Sequence, residues 1–96
     1  MSSTTTTTFK DLSDQAMTLI ALVSEKIEAV RAASRTASKK EVGEMISHVV
    51  TINDLMTRMG ELKDGPDQER VLMAVLRPAT EVNLEVEGMF LDVWGP

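Results

Sequence analysis

Cysteine is absent from the 96 residues of this chain, and histidine occurs once, at position 48. Without cysteine there is no disulfide, thiolate metal ligand or cysteine nucleophile, and one imidazole cannot build a site that needs two. Apolar runs are also far shorter than the roughly 20 residues of a transmembrane helix. The sequence therefore predicts a soluble protein without a metal or other cofactor.

Aromatic residues are scarce as well: the chain has only Phe9, Phe90 and Trp94, whereas it has seven methionines. A core of Leu, Ile, Val, Met and Ala suits packed helices better than a β-sandwich. The net charge of −5 disfavours unaided binding to nucleic acid or an anionic membrane, because phosphate contacts need clustered Lys and Arg. Composition thus predicts an all-α protein whose partners are proteins.

The first eight residues, MSSTTTTT, form a low-complexity segment with no apolar side chain after Met1. Polar β-branched residues in a row neither favour a helix nor contribute to a core, so 1–8 is predicted to be a disordered tail, with Thr8 as a candidate N-cap. Residues 9–96 are expected to form a single helical domain. Because the segment lacks the pattern of a secretory signal peptide, we expect a cytoplasmic protein, and secretion without a signal peptide stays open.

Heptad spacing of apolar residues predicts a first long helix over 9–36. One seam position holds Phe9, Ala16, Val23, Val30 and Ala37, and the other holds Leu12, Leu19, Lys26 and Ala33. Because Lys26 interrupts the seam and Ile20 and Ile27 widen it, the pattern is typical of a bundle helix rather than a strict coiled coil.

A second helix is predicted over 39–63, beginning after a capping box formed by Ser38 and Glu41. Its seam reads Val42, Met45, Val49, Ile52, Met56 and Met59. The helix should end near Lys63, because the sequence Asp-Gly-Pro-Asp at 64–67 places a glycine after one helix and a proline in the first turn of the next.

The third segment allows two interpretations, because apolar residues alternate with polar ones over 81–87 as in a half-buried strand, and Pro78 lies within it. One heptad frame nevertheless continues through the proline, and it holds Leu72, Val75, Ala79, Val82, Val86, Met89 and Val93. We therefore predict a helix over 67–93, kinked near Pro78 and weakened by Gly88. Three such helices with short connections predict an elongated up-down-up bundle.

Charge is divided along the chain, with a net +2 over residues 1–40 and −7 over residues 41–96. Arg31, Arg35, Lys39 and Lys40 form a basic cluster; Glu81, Glu85, Glu87 and Asp92 form an acidic one. The basic cluster is a candidate nucleic-acid patch. In an up-down-up bundle, however, both clusters lie towards the same pole, so mutual neutralisation is the favoured interpretation.

Catalytic chemistry has little basis in this sequence. Glu41, Glu44 and His48 lie on adjacent helical turns, but their spacing does not match that of known carboxylate-bridged metal sites. No serine has a base other than His48 to activate it, and the glycines form no phosphate-binding loop. We therefore expect a protein that is not an enzyme.

The third helix carries apolar residues on a second face, opposite the main seam. Leu84, Gly88 and Leu91 recur at helical spacing, Trp94 lies nearby and Phe90 lies on the flank. A helix that is apolar on two faces must bury both, and Trp and Phe are frequent interface anchors. Leu84, Phe90, Leu91 and Trp94 are therefore the predicted contacts to a protein partner or to a second copy of the chain.

A Ser/Thr-rich start followed by a small, cysteine-free, heptad-bearing chain resembles the small proteins of bacterial type III secretion systems, including their co-chaperones and needle or rod components. The resemblance covers residues 1–13 in composition, and 64–67 contain no needle-type turn motif. It implies a chaperone-like or structural part in a bacterial assembly.

The sequence as a whole favours a non-catalytic helical protein–protein interaction or oligomerisation module. The alternative is a small regulator acting on nucleic acid. Such a regulator would bind nucleic acid through Arg31, Arg35, Lys39 and Lys40, or its acidic C-terminal half would occupy a protein's nucleic-acid site as a decoy.

Overall fold

The computed structural model of the chain describes residues 8–95 and contains three α-helices, each packed against the other two. They are α1 (Phe9–Ala32), α2 (Lys39–Leu62) and α3 (Pro66–Trp94). No strand occurs in the described residues, so the predicted three-helix bundle is confirmed and the strand alternative is wrong. The predicted tail consists of residues 1–7, which lie outside the described residues, and Thr8.

Thr8 is part of the fold, because it caps α1. Its hydroxyl accepts a hydrogen bond from the Asp11 N–H at 3.1 Å, and its own N–H donates to the Asp11 carboxylate at 3.2 Å. This capping box satisfies two of the N–H groups that a helix start leaves free. The N-cap prediction is confirmed, and the tail boundary at residue 8 is corrected by one residue.

The end of α1 differs from the prediction, because the helix stops at Ala32 rather than at residue 36. The Ser34 N–H donates to the Arg31 carbonyl at 3.0 Å, and the Arg35 N–H donates to the Val30 carbonyl at 3.4 Å. Ser34 has φ 51°, so this is a Schellman ending with serine at the left-handed position usually held by glycine or asparagine. The chain carries no glycine there to mark the stop.

The other helix boundaries follow the sequence signals closely. Ser38 and Glu41 form the predicted capping box, with hydrogen bonds of 3.1 and 2.9 Å. Between α2 and α3, Gly65 adopts φ 88°, which side chains rarely tolerate. Pro66 follows as the first residue of α3, where its missing N–H costs no helical hydrogen bond.

Pro78 lies inside α3, and the helix continues through it to Trp94. Proline supplies no N–H, so the carbonyl of Ala74 loses its usual helical donor. Burial compensates, because Val75, Ala79 and Val82 on either side of the proline all belong to the core. Tertiary packing therefore maintains the helix across a residue that would interrupt it in isolation.

The core lies along the common axis of the three helices and contains no buried polar side chain among the described residues. Most predicted seam residues are buried, whereas Ala33 is exposed and Lys26 is half-buried, 3.6 Å from Glu44. Ile20 and Ile27, which the sequence placed at the edge of the stripe, are each only 4% exposed. The real stripe on α1 is thus shifted from the heptad frame towards these two residues.

Ion pairs show how the helix ends meet. Arg31 near the end of α1 pairs with Glu85 in the second half of α3, and Lys63 after α2 pairs with Glu69 at the start of α3. The end of α1, the start of α2 and the end of α3 therefore share one pole, as an up-down-up bundle requires. The longest dimension of the bundle is 46 Å.

Candidate functional site: the outer face of α3

α3 presents a second apolar face on the side opposite the core. Met73, Leu84 and Leu91 are 54%, 62% and 48% exposed. They are separated by 11 and 7 residues, close to three and two helical turns, so they form one line along the helix. Leu76 and Trp94 lie beside this line and are also exposed. We call Met73, Leu76, Leu84, Leu91 and Trp94 the outer face of α3.

The C-terminal end of the outer face carries an aromatic pair. The rings of Phe90 and Trp94 stack, with centroids 5.0 Å apart and planes inclined by 27°. The ammonium group of Lys39, the first residue of α2, lies 6.0 Å from the centroid of the Trp94 ring, at the limit of a cation–π contact. Stacking fixes the two rings against each other before any partner binds, which lowers the entropic cost of using them as anchors.

All four predicted anchor residues are on the surface, since Leu84, Phe90, Leu91 and Trp94 are each at least 39% exposed. Met73 and Leu76 were missed by the sequence analysis. The sequence did contain a pattern that includes Met73, because it lies 11 residues, or about three helical turns, before Leu84. Arg77 lies between the two residues and interrupts the apolar stripe. An open depression next to Met73, Leu76 and Arg77 continues the face towards the start of α3.

The apolar area of this surface is large for a small bundle. Side chains of this kind each have roughly 150 to 250 Å² of surface, so Phe90 and the outer face together expose on the order of 500 to 600 Å². Arg77, Thr80 and Glu87 divide this area into smaller patches, and at the C-terminal end Phe90, Leu91 and Trp94 lie close together. An exposed apolar patch with stacked aromatic rings is typical of an interaction surface.

Charged residues divide α3 into two halves around the outer face. The first half contains both bases of the helix, Arg70 and Arg77, together with the acids Asp67 and Glu69. The second half contains only acids, namely Glu81, Glu85, Glu87 and Asp92. Arg77 and Glu87 are both exposed and form no ion pair with any of residues 8–95. The second half of α3 is therefore negatively charged, the first half carries no net charge, and Arg77 and Glu87 interrupt the apolar line.

The basic cluster is largely engaged within the chain. Arg31 pairs with Glu85 and, at 3.4 Å, with Glu28. Arg35 makes a two-pronged contact with Glu41, each guanidinium nitrogen lying 2.7 Å from a carboxylate oxygen. The predicted contact between the two clusters is thus made by Arg31, whereas Arg35 binds the first turn of α2.

These contacts shift the ionisation of their groups. The hydrogen bond from Arg35, reinforced by the Ser38 N–H, lowers the pKa of Glu41 to about 2. The same contact raises the pKa of Arg35, and the hydrogen bond to Glu85 raises the pKa of Arg31. Both guanidinium groups therefore already hold a carboxylate partner, and a phosphate would have to displace it.

Other places for ligand chemistry are limited within the described residues. The groove between α1 and α3 next to Ile27, Arg31 and Pro78 has a volume of about 170 Å³, below the range of small-molecule sites, and the larger depressions beside Leu19 and Leu84, of about 360 and 440 Å³, are open to solvent rather than enclosed. Residues 8–95 contain no group of three potential metal ligands, and Glu41 and Glu44 are engaged by Arg35 and Lys26. In the same range, none of the helices has the length and apolar character to cross a membrane.

Comparison with known proteins yields no match to a family model, a curated protein or a solved structure. Function is therefore inferred from the chemistry of the bundle surface.

Proposed function

We propose that this chain is a non-catalytic helical protein–protein interaction or oligomerisation module, and that the outer face of α3 is its contact surface. The observation that carries the proposal is the line of Met73, Leu84 and Leu91, exposed on the side of α3 that the bundle does not use. Binding would bury these side chains against another apolar helix face, as in helix-in-groove recognition.

The anchors have the character of interface residues. The stacked pair of Phe90 and Trp94 offers a rigid, largely apolar area, and aromatic residues are enriched among those that contribute most to binding. The acids and bases around the face would set the orientation of the partner rather than most of the affinity. The resemblance to secretion-system proteins stays a prediction.

The nucleic-acid-binding form of the regulator alternative is not supported by a comparable surface. Binding of nucleic acid requires several cations free to contact phosphates. Arg31 and Arg35 hold carboxylates instead, and Lys39 lies over Trp94. Of the four, only Lys40 makes neither an ion pair nor a cation–π contact with a described residue, so the patch has little net positive charge to offer.

The proposal is tested by placing charge on the outer face. The double variant Leu84→Glu with Leu91→Glu should lose association, because each carboxylate would have to be desolvated at the contact. Val50→Glu on α2 is the matched control, since Val50 is 61% exposed and lies outside the outer face. The control should associate as the wild type does, and circular dichroism should show unchanged helix content in both variants.

Association is measured by sedimentation of the purified chain and by the mass of complexes isolated with it from its native cell. The proposal requires that a defined complex, with itself or with one identified partner, be lost in the double variant and kept in the Val50 control. It is wrong if no complex depends on Leu84 and Leu91, or if the double variant unfolds because these residues belong to the core.

A further inference from the structure

The outer side of α3 carries a row of exposed positions in which Arg77 and Glu87 become complementary when the helix is paired with a reversed copy of itself. Positions alternate by three and four residues, the repeat of a helix that packs along one partner helix. The eight positions, all of them exposed, hold Arg70, Met73, Arg77, Thr80, Leu84, Glu87, Leu91 and Trp94. Reversing the helix about the level of Val82 maps each of these positions onto another member of the set.

We propose that the partner of the outer face is a second copy of this chain, bound by antiparallel pairing of two α3 helices around a two-fold axis at the level of Val82. The proposal rests on the proposed function, because it assumes that this face is the contact surface, and adds the identity and register of the partner. Two-fold pairing is the commonest way for identical chains to associate, and it requires a self-complementary patch.

Each contact in this register joins residues of compatible chemistry. Met73 faces Leu91 of the second copy, and Thr80 faces Leu84. Arg77 faces Glu87, and Arg70 faces the ring of Trp94. The two-fold axis makes each of these contacts twice. Leu84 therefore meets the Thr80 side chain at the centre and Met73 meets Leu91 on both sides of it, with an ion pair between these contacts and Arg70 beside Trp94 at each end.

Charge selects the antiparallel direction. Arg77 and Glu87 lack an ion-pair partner among residues 8–95, and antiparallel pairing supplies one for each. In a parallel pair, Arg77 would face Arg77 and Glu87 would face Glu87, so both contacts would be repulsive. The antiparallel arrangement thus contains two oppositely charged pairs where the parallel arrangement contains two like-charged pairs, so charge favours the antiparallel one.

The same pattern selects the register. Sliding one helix by a heptad in one direction sets Leu84 against Glu87, which buries a carboxylate against an apolar side chain. Sliding it in the other direction sets Leu91 against the first residue of the second α3 and moves Trp94 past its start. Only the register centred at Val82 gives all eight positions a partner.

The area available matches a small but specific dimer. Met73, Leu84, Leu91 and Trp94 expose on the order of 400 Å² per copy, and with the side chains of Arg70, Arg77, Thr80 and Glu87 the interface approaches the lower limit for stable complexes. One contact opposes association, since the two copies of Glu81 would lie close to the axis. We therefore expect a dimer of moderate affinity that Glu81→Gln strengthens.

Charge reversal gives the decisive experiment. Arg77→Glu alone and Glu87→Arg alone each place two like-charged pairs in the proposed dimer and should raise the dissociation constant about tenfold. The chain with both changes restores the two opposite pairs and should dimerise as the wild type does. A one-to-one mixture of the two single variants should also dimerise, because the glutamate introduced in one chain would meet the arginine introduced in the other.

Arg58→Glu on α2 is the matched control for a reversed exposed arginine and should leave the dissociation constant unchanged. Sedimentation equilibrium at low ionic strength measures all of these constants, and circular dichroism verifies that each variant keeps its helix content. Failure of the double variant and of the mixture to recover would overturn the register.

Cysteine pairs provide an independent geometric readout, because the chain contains no cysteine of its own. A chain with Met73→Cys and a chain with Leu91→Cys, unfolded and refolded together, should form a disulfide between the two variants on mild oxidation. Neither variant should cross-link with itself, since in this register the two copies of either position lie several helical turns apart. Self-linking of each variant alone would demonstrate parallel pairing and contradict the proposal.

The outcomes separate this inference from the proposed function. If Leu84→Glu with Leu91→Glu abolishes the dimer but reversal of Arg77 or Glu87 leaves it unchanged, the proposed register is wrong. The outer face is then still the contact surface. If the wild-type chain is monomeric at millimolar concentration but binds a different protein through Leu84 and Leu91, the partner is not a second copy of the chain. The outer face then still stands as the contact surface.

Discussion

Adjacent residues on α1 provide a direct test of how the core is built. The heptad frame places Leu19 at a seam position and Ile20 at the edge, whereas the structure buries Ile20 to 4% exposure and leaves Leu19 half-buried. Replacement of either residue by alanine removes three carbon atoms. The two substitutions therefore differ in position rather than in chemistry.

For Ile20→Ala, three buried carbons at about 0.8 kcal/mol each give about 2.4 kcal/mol of lost transfer free energy. The cavity left behind adds to this loss, whereas the better helix propensity of alanine offsets it by a few tenths of a kcal/mol. The free energy of unfolding should therefore fall by about 3 kcal/mol. For Leu19→Ala we expect about 1 kcal/mol, because solvent already reaches part of the side chain and no closed cavity forms.

Urea unfolding followed by circular dichroism measures both changes. With an m-value of about 1 to 1.5 kcal/mol per molar, Ile20→Ala should lower the midpoint by about 2 to 3 M, and Leu19→Ala should lower it by less than half as much. Leu22→Ala, at a residue 39% exposed, is the control for removal of a surface leucine. A larger loss for Leu19→Ala than for Ile20→Ala would mean that the heptad frame, and not the packing described above, determines the core.

Two further predictions concern the helix ends and the glycines. The carboxyl of Glu41 has a pKa of about 2 in the fold against an ordinary value of 4.5, so it stabilises the fold above pH 4.5, and this contribution should be lost as the pH falls from about 4.5 towards 2. Stability measured over this interval should rise less steeply with pH in Glu41→Gln, and an unchanged slope would contradict the Arg35 contact. Gly43→Ala and Gly60→Ala should each raise the melting temperature by about 2 to 8 °C, since an added Cβ meets nothing within 4 Å and alanine favours a helix by about 0.5 to 1 kcal/mol. Gly65→Ala should lower the melting temperature, because φ 88° is strained for alanine, and an increase there would contradict the turn geometry.

Much of the site could be predicted from residue spacing. Leu84, Leu91 and Trp94 stood out because the seam on α3 was already complete without them. Met73 and Leu76 could not be assigned in the same way, since the first half of the helix had fewer clear seam residues and Arg77 interrupted the second stripe. Whether those residues were core or surface depended on how far α1 and α2 extend beside α3.

The stacking of Phe90 on Trp94 follows from their spacing of four residues, but the position of Lys39 over the indole does not. That contact joins the first residue of α2 to the end of α3, and no local pattern specifies it. The same holds for the basic cluster, where no spacing rule decides that Arg31 reaches Glu85 while Arg35 turns to Glu41.

The sequence by itself determined the number of helices and the caps at Thr8 and Ser38, and its heptad frame predicted that α3 continues through Pro78. Caps and heptads are local, because each depends on residues within a few positions of one another. The tertiary structure alone decided that α1 stops before Ser34 and that Ile20 and Ile27 enter the core. A serine with left-handed φ is strained, and only contacts with the surrounding structure offset that strain. In a three-helix core each helix packs against two neighbours, so its buried stripe is wider than a single heptad seam and includes residues beside it.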